Sequence, residues 1–273
     1  MNKNKSKFPL ARQGSTGAIL AALCIVCMLF FAVYGCKQNI ESSVSDETEL
    51  IDDGTILKDS DDRYVFPIQP GSEAWFALDM PGRYAACQIP ENVLATISTA
   101  GLLETCLDIA FLREIVSGFD RFVSVMNGFQ ELLKRPDLPN VLMNKCSKFN
   151  EELNKVYSKS LVEQGRFTLK VYVVGLLTAQ DIILDNLNEE QFDKLVFLTL
   201  EQFKTVISHA DLFGNWNDTA FALFFAKIIV KKDLAPANVK EELMQYIQKP
   251  FWIERDIIFE YLDAYLNLKY KID

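Results

Sequence analysis

The sequence predicts an all-α protein, and three of its features point that way. From residue 90 onward, apolar residues recur at the three- and four-residue spacing of a helix face. Proline, glycine and serine separate these segments where helices commonly begin or end. No segment in the same region alternates apolar and polar residues as a strand does. We expect an irregular multi-helical domain of stacked antiparallel helices, with an α-solenoid-like layout as the alternative, although no fixed repeat is present.

The first element is an apolar run of sixteen residues, 18–33. It follows four basic residues and no acidic one, which is the charge pattern of an export signal. A helix of this length measures about 24 Å, which is short for a membrane span. Residues 1–35 are therefore predicted to be a signal peptide, with an uncleaved membrane anchor as the alternative.

The end of this run is Val33-Tyr34-Gly35-Cys36, which resembles the lipobox of bacterial lipoproteins. The resemblance implies cleavage before Cys36, transfer of diacylglycerol to its sulfur and acylation of the new amine. Tyr34 departs from the pattern, in which a smaller residue is usual. Because several acyl chains anchor a protein more firmly than one, we expect Cys36 to be the lipid attachment site of an outer-membrane lipoprotein in a bacterial cell envelope. The sequence leaves the periplasmic and surface-facing orientations open.

Residues 36–63 are predicted to form an acidic flexible tether. Between Lys37 and Asp62, nine acidic residues stand against two basic ones, and apolar periodicity is almost absent. This acidic stretch resembles the surface-export signal of Bacteroidota lipoproteins, which lies soon after the lipidated cysteine. Here Asp46, Glu47 and Glu49 come later than in that pattern, so a solvated spacer is equally well supported.

The net charge argues against two classes of partner. The chain carries 28 basic and 37 acidic residues, and the leader holds four of the basic ones, so the remainder has 24 against 37, a net charge of −13. Such a surface repels nucleic-acid phosphates and anionic lipid. We expect no nucleic-acid partner, and membrane contact through the lipid on Cys36.

Residues 64–273 are predicted to be the folded domain, which begins with an extended segment over 64–89. Prolines and glycines recur from Pro67 to Gly82, and they disfavour both a regular helix and a central strand. Four large apolar residues are expected to anchor this segment by packing, with a role in lining a ligand groove as the less favoured interpretation: Trp75, Phe76, Leu78 and Met80.

Helices are predicted from residue 91 onward. Their ranges are 91–97, a segment capped by Ser98 or Thr99 that ends at Leu107, 116–126, 129–134, 138–149, 167–185, 189–207, 220–230, 237–247 and 252–268. The helix over 220–230 is apolar all round except at Lys227, but it is too short to cross a membrane, which predicts burial in the core.

The helix over 189–207 is expected to be central because it is apolar on two sides. Its main face comprises Phe192, Leu195, Val196, Thr199, Phe203, Val206 and Ile207. Its other side carries Phe197, Leu198 and Leu200.

Four short segments between residues 64 and 150 are similar in sequence to segments of a known group of proteins. They are Gln88-Ile89-Pro90-Glu91, Ser98-Thr99, Gly101-Leu102-Leu103-Glu104-Thr105-Cys106-Leu107 and Asn127-Gly128-Phe129-Gln130-Glu131-Leu132. These segments resemble uncharacterised lipoproteins of gut Bacteroidota. The resemblance implies a similar Bacteroides-type envelope protein and carries no activity with it.

Three cysteines lie in the predicted domain: Cys87, Cys106 and Cys146. An odd number leaves at least one thiol unpaired. Cys106 and Cys146 fall on apolar helix faces, which favours buried structural residues over nucleophiles. A disulfide between Cys87 and Cys106 is compatible with the periplasm, although nothing in the spacing requires it.

The remaining polar residues predict no catalytic, cofactor-binding or metal-binding site. His209 is the only histidine, and no cysteine or carboxylate accompanies it at ligand spacing. It follows Ser208 at a predicted helix end, where the helix dipole favours an imidazole. The acidic pairs at 189–190 and 241–242 are typical of exposed helix turns, and no phosphate loop, Gly-x-Ser-x-Gly motif or EF-hand loop is present.

One short motif suggests a modification. Asp218-Thr219-Ala220 resembles the O-glycosylation acceptor of exported Bacteroidota proteins, with Thr219 as the sugar-bearing residue. Helix capping by Asn217 or Asp218 is the competing interpretation, and it is the favoured one.

These features predict a lipid-anchored envelope protein that serves as a protein- or glycan-binding accessory module. The alternative is an envelope hydrolase whose site is assembled from dispersed carboxylates. A pocket that collects several carboxylates would favour the hydrolase, whereas an exposed apolar groove or a concave helix surface would favour the binding module.

Overall fold

The computed structural model describes residues 49–50, 56–59, 61–214, 218–249 and 261. Within them it contains fourteen α-helices, one 3-10 helix and two short strands, which confirms the all-α prediction. The strands are β1 (Glu49–Leu50) and β2 (Ile56–Lys58). The helices are α1 (Glu73–Ala77), α2 (Met80–Ala86), α3 (Glu91–Leu94), α4 (Thr99–Leu107), the 3-10 helix (Leu112–Ser117), α5 (Phe119–Val125), α6 (Asn127–Leu132), α7 (Leu138–Ser147), α8 (Phe149–Val156), α9 (Leu161–Thr178), α10 (Asp181–Leu184), α11 (Glu189–Ser208), α12 (Ala210–Phe213), α13 (Asp218–Lys231) and α14 (Ala237–Gln248).

Helices α9, α11 and α13 lie at the centre of the core. α9 packs against α13, and α11 contacts α7, α12 and α13. Where α9 meets α13, a Cβ added to Gly175 would stand 3.0 Å from the Cβ of Ala220, so two small residues let the helices approach closely. Phe221, Phe224 and Phe225 are fully buried, which confirms that α13 is a core helix.

Most of the face of α11 that was predicted to lie in the core is buried. Asn188 and Gln191 cap its first turn reciprocally, because each side-chain oxygen accepts the other residue's backbone N–H, at 2.9 and 3.1 Å. Six of the seven predicted face residues are buried. Ile207 is 54% exposed in the last turn, and Phe197 is 48% exposed. The predicted main face is therefore open to solvent at Ile207, and the second apolar side is open to solvent at Phe197.

Three predicted helices are each divided in two. The helix over 116–126 is a 3-10 helix and α5, which meet at Gly118, and the helix over 138–149 is α7 and α8, which meet at Lys148. The helix over 167–185 is α9 and α10. α9 begins earlier than predicted because Ser160 and Glu163 form a capping box. The predicted helix over 252–268 lies outside the described residues except at Tyr261.

The prediction that residues 64–89 are extended is wrong for α1 and α2. Ser72 accepts the N–H of Trp75 at 3.1 Å and caps α1, and Asp79 accepts the N–H of Gly82 at 2.8 Å and caps α2. Pro81 stands in the first turn of α2, where a backbone N–H needs no partner in the helix. Trp75 is buried as expected, but Phe76 and Met80 are 65% and 48% exposed and do not anchor the segment.

The last residues of the predicted tether are ordered against α4. β2 pairs with β1, and Lys58 forms a bridge with Tyr64. Oδ2 of Asp62 accepts the N–H of Ser98 at 2.6 Å, and the N–H of Tyr64 donates to Oγ1 of Thr105 at 2.9 Å. The folded domain therefore begins before residue 64, because the carboxylate of Asp62 accepts a backbone N–H at the start of α4. No helix in the described part of the chain has both the length and the apolar character needed to cross a membrane.

Candidate binding cleft

A cleft opens between α2, the 3-10 helix and α5. Its volume is about 450 Å³, within the range of about 300–1,000 Å³ that is typical of small-molecule sites. The residues that line it are Tyr84, Glu114, Ser117, Gly118, Arg121, Phe122 and Val125. Because this concave surface combines aromatic, charged and aliphatic side chains, it is the candidate functional site.

Two amide side chains hold the walls of the cleft together. Nε2 of Gln88 donates to the carbonyl oxygens of Tyr84 at 3.0 Å and of Val125 at 3.1 Å. Oε1 of Gln88 accepts the backbone N–H of Asn127 at 3.1 Å. Asn127 in turn exchanges two hydrogen bonds with the backbone of Ile89. The end of α2 is therefore fixed to the junction between α5 and α6, and with it the position of Tyr84.

Three aromatic rings form one wall in layers. The ring of Tyr84 stacks on that of Phe111 with centroids 4.7 Å apart and an interplanar angle of 16°. Phe111 lies 5.5 Å from the buried ring of Trp75, over which the guanidinium of Arg83 stands at 5.6 Å. These contacts support Tyr84 from behind, so its half-buried ring is held as a rigid surface of the cleft.

The polar edge of this wall joins a phenol to a carboxylate. Oη of Tyr84 donates a hydrogen bond to Oε2 of Glu114. This hydrogen bond, with a contribution from burial, raises the pKa of Tyr84 above its ordinary value of 10.0, although the charge of Arg121 opposes the shift. Tyr84 therefore stays protonated and orients Glu114 as an acceptor. Glu114 is exposed, and Oε1 remains able to accept further hydrogen bonds.

Arg121 supplies donors beside this acceptor. Its side chain lines the cleft on the first half of α5 and is exposed. Within the described ranges it forms no ion pair with a carboxylate, so its planar group of five N–H donors is open to a ligand. The charges of Glu114 and Arg121 cancel across the cleft, which offers acceptors and donors without a net charge.

Two other cavities offer less to a ligand. One of about 320 Å³ lies between α10, α13 and α14, but Lys227 pairs with Asp181 at 2.9 Å and Lys231 pairs with Asp185. A second, beside Lys145, measures about 20 Å³, which is room for about one water molecule. In the first cavity the lysines are paired with carboxylates, and in the second the charged groups border a space too small for a ligand.

Of the two predicted modification sites, the structure describes only Thr219. Cys36 is outside the described residues. Thr219 is the second residue of α13 and is half-buried, and its carbonyl oxygen accepts the hydroxyl of Tyr246 at 3.5 Å. The following Ala220 is fully buried. Thr219 therefore stands in a packed first turn of a helix, which is the environment expected for a capping segment.

The three thiols and the histidine occupy structural positions. Cys87, Cys106 and Cys146 are buried and form no disulfide with one another. Burial raises the pKa of Cys87 to about 11 and of Cys146 to about 12, and it raises that of Cys106 as well, so all three stay protonated and unreactive at neutral pH. His209 caps the end of α11, with Nδ1 at 2.8 Å from the carbonyl oxygen of Thr205. No three His, Cys, Asp or Glu side chains among the described residues group to hold a metal ion.

Sequence reasoning did not single out Tyr84, Glu114 and Arg121. The three residues belong to three different elements, and Tyr84 and Glu114 are 30 residues apart in the chain. No local spacing therefore marks them as a group. Comparison with protein families, with curated proteins and with solved structures finds no match for this chain.

Proposed function

We propose that this chain is a lipid-anchored protein of a bacterial cell envelope, held in the outer membrane by acylated Cys36, whose helical domain binds a protein or glycan partner. The anchor is supported by the basic leader, the apolar run and Val33-Tyr34-Gly35-Cys36. The tether then separates the membrane from a domain with an open cleft. An accessory role in a surface complex fits this layout.

The observation that carries the binding proposal is the composition of the cleft around Tyr84. It combines a supported aromatic ring with one carboxylate and one guanidinium. Glycoside hydrolysis needs two carboxyl groups about 5–9.5 Å apart across the substrate. Each of the three cavities described above is lined by a single carboxylate: Glu114, Asp181 or Glu152. This favours a binding module over a hydrolase built from dispersed carboxylates.

The anchor is tested by fatty-acid labelling of the expressed protein and fractionation of the cells. We expect the wild-type chain to carry label and to sediment with membranes, and Cys36→Ala to lose both properties because the acyl acceptor is gone. Cys87→Ala is the matched control, since it removes a buried domain thiol, and it should remain labelled. Label that persists on Cys36→Ala would show that the lipobox assignment is wrong.

The binding proposal is tested with detergent-solubilised protein, by partner capture and by a hydrolase substrate screen in parallel. We expect specific capture that Tyr84→Ala weakens, and no turnover. Turnover that co-purifies with the protein and disappears in Glu114→Gln would replace the binding module with an enzyme.

A further inference from the structure

We infer that the cleft around Tyr84 binds a neutral sugar unit of a glycan, an inference that rests on the proposed binding function and specifies its ligand. The ligand has one flat apolar side that stacks on Tyr84 and a ring of hydroxyl groups that meet Glu114 and Arg121. Three properties of the cleft lead to this class of ligand.

The first property is the rigid aromatic surface. One side of the Tyr84 ring is covered by Phe111, which in turn lies against Trp75, while the residue itself lines the cleft. A pyranose ring presents its C–H groups on a flat side of comparable width, and it is itself rigid. When both surfaces are rigid before they meet, little conformational entropy is lost on binding.

The second property is the adjacent pair of polar groups. Glu114 accepts and Arg121 donates, and the hydroxyl groups of a sugar do both. The hydroxyl groups of a sugar can therefore accept from the guanidinium and donate to the carboxylate in the same cleft. An apolar peptide side chain in the same place would remove water from two charged groups without replacing their hydrogen bonds, which is costly.

The third property is the charge. The lining contains one acidic and one basic side chain, and the whole chain carries a net charge of −9. An acidic saccharide would be repelled by the protein's overall field, and a cationic ligand would meet Arg121 beside Glu114. A neutral saccharide avoids both penalties.

The shape of the cleft admits an extended chain. Val125 on its rim is 47% exposed, and Met80 is 48% exposed one helical turn before Tyr84, on the same side of α2. Val125 therefore offers apolar surface in the cleft, and Met80 offers it on the face of α2 that carries Tyr84. A glycan longer than one unit would meet this apolar surface beyond Tyr84.

The test uses full-length protein in detergent and isothermal titration calorimetry. The neutral probes are maltotetraose, cellotetraose, xylotetraose and mannotetraose, and the acidic probe of equal length is tetragalacturonate. We expect at least one neutral probe to bind and the acidic probe to bind more weakly. Thermal unfolding of every variant is recorded beside the titrations, so that a loss of binding is counted only for a folded protein.

The variants separate the roles of the three residues. Tyr84→Ala should reduce affinity by about tenfold or more, and Tyr84→Phe, which keeps the ring, by roughly two- to tenfold. Arg121→Ala should also reduce it by about tenfold or more. The control is Phe197→Ala, which removes an exposed aromatic ring from α11, away from the residues that line the cleft, and it should leave affinity unchanged.

Three results would overturn the inference: no binding of any neutral probe at millimolar concentration, tetragalacturonate binding as tightly as the best neutral probe, or equal losses in Phe197→Ala and Tyr84→Ala. If a polypeptide partner is captured through Tyr84 while no neutral probe binds, the glycan inference fails and the proposed binding function stands. If a probe is hydrolysed and Glu114→Gln abolishes that hydrolysis, the proposed binding function itself is wrong.

Discussion

Asn127 and Ile89 exchange two hydrogen bonds: Nδ2 of Asn127 donates to the carbonyl oxygen of Ile89 at 2.8 Å, and the N–H of Ile89 donates to Oδ1 of Asn127 at 2.9 Å. The asparagine side chain thus replaces the backbone partner that Ile89 lacks between α2 and α3. Ile89 is 2% exposed, so water cannot take over this role. The pair links the cleft wall at α2 to the start of α6.

Asn127→Ala should lower the free energy of unfolding by about 1–3 kcal/mol, because it leaves a buried N–H and a buried carbonyl group without partners. Urea denaturation measures the change. Asn186→Ala is the matched control, since its exposed Nδ2 donates only to the carbonyl oxygen of Ile182, one turn earlier. The control should change stability by less than about 0.5 kcal/mol. Equal effects of the two substitutions would refute the role assigned to Asn127.

Gly128 sits where two other segments converge, and a methyl group has no room there. A Cβ at this position would lie 2.8 Å from Cδ1 of Ile89 and 3.1 Å from Sγ of Cys106. Gly128→Ala should therefore destabilise the protein by about 1–3 kcal/mol through overpacking.

The control for Gly128→Ala is Gly165→Ala in α9, where nothing lies within 4 Å of the added Cβ. Alanine is the better helix former, so this substitution should stabilise the protein by about 0.5–1 kcal/mol. We therefore expect the two substitutions to change the stability of the protein in opposite directions, and thermal unfolding of both variants measures this. The same sign in both would show that space around Gly128 is not limiting.

The contacts of Gly128 also show where sequence reasoning succeeded and where it stopped. Local signals predicted a cap for α4 at Ser98 or Thr99, of which Ser98 is the residue that caps it, and a cap for α11 at His209. That Ile89, Cys106 and Gly128 meet could not be predicted, because each contact spans some twenty to forty residues and depends on how α4 and α6 pack.

The error over 64–89 has a different physical origin. Frequent proline and glycine argue against helices, yet Pro81 falls in a first turn, and Ser72 and Asp79 supply N-caps. Local capping therefore outweighs the effect of composition in this segment. The cleft itself gave no such signal, since Tyr84, Glu114 and Arg121 belong to separate elements and none of them stands in a motif.

Trp75 and Phe76 are neighbours in the chain with opposite environments, 8% and 65% exposed. Trp75→Ala should cost about 3–5 kcal/mol, because it removes a buried aromatic side chain that packs on Phe111. Phe76→Ala should lie within about 0.5 kcal/mol of the wild type. Denaturant titration of both variants tests the corrected anchor assignment. A large loss in Phe76→Ala would restore the prediction that both residues hold the segment to the domain.

Asp62 makes the attachment of β2 to α4 sensitive to acid. Burial alone would raise the pKa of Asp62, but hydrogen bonds from Lys58 and Ser98 outweigh it and lower the pKa below the ordinary value of 3.8. Ser98 precedes α4, so the carboxylate also lies at the positive end of the helix dipole. The geometry is tight, since a Cβ added to Gly101 would come 2.2 Å from the carbonyl oxygen of Asp62.

Because the folded-state pKa of Asp62 is lower than its unfolded value, its contribution to stability is present above pH 3.8 and is lost as the pH falls through the folded pKa. Asp62→Asn should therefore be less stable than the wild type at neutral pH, and its stability should fall less steeply below about pH 4. Urea midpoints recorded between neutral pH and acid measure both effects. Asp61→Asn is the control, because it removes the same charge from a side chain that is 73% exposed and lies 3.8 Å from Arg63. If all three proteins lose stability along the same curve, the acid sensitivity belongs to other carboxylates, and the bond between Asp62 and Ser98 does not hold the strand to the helix.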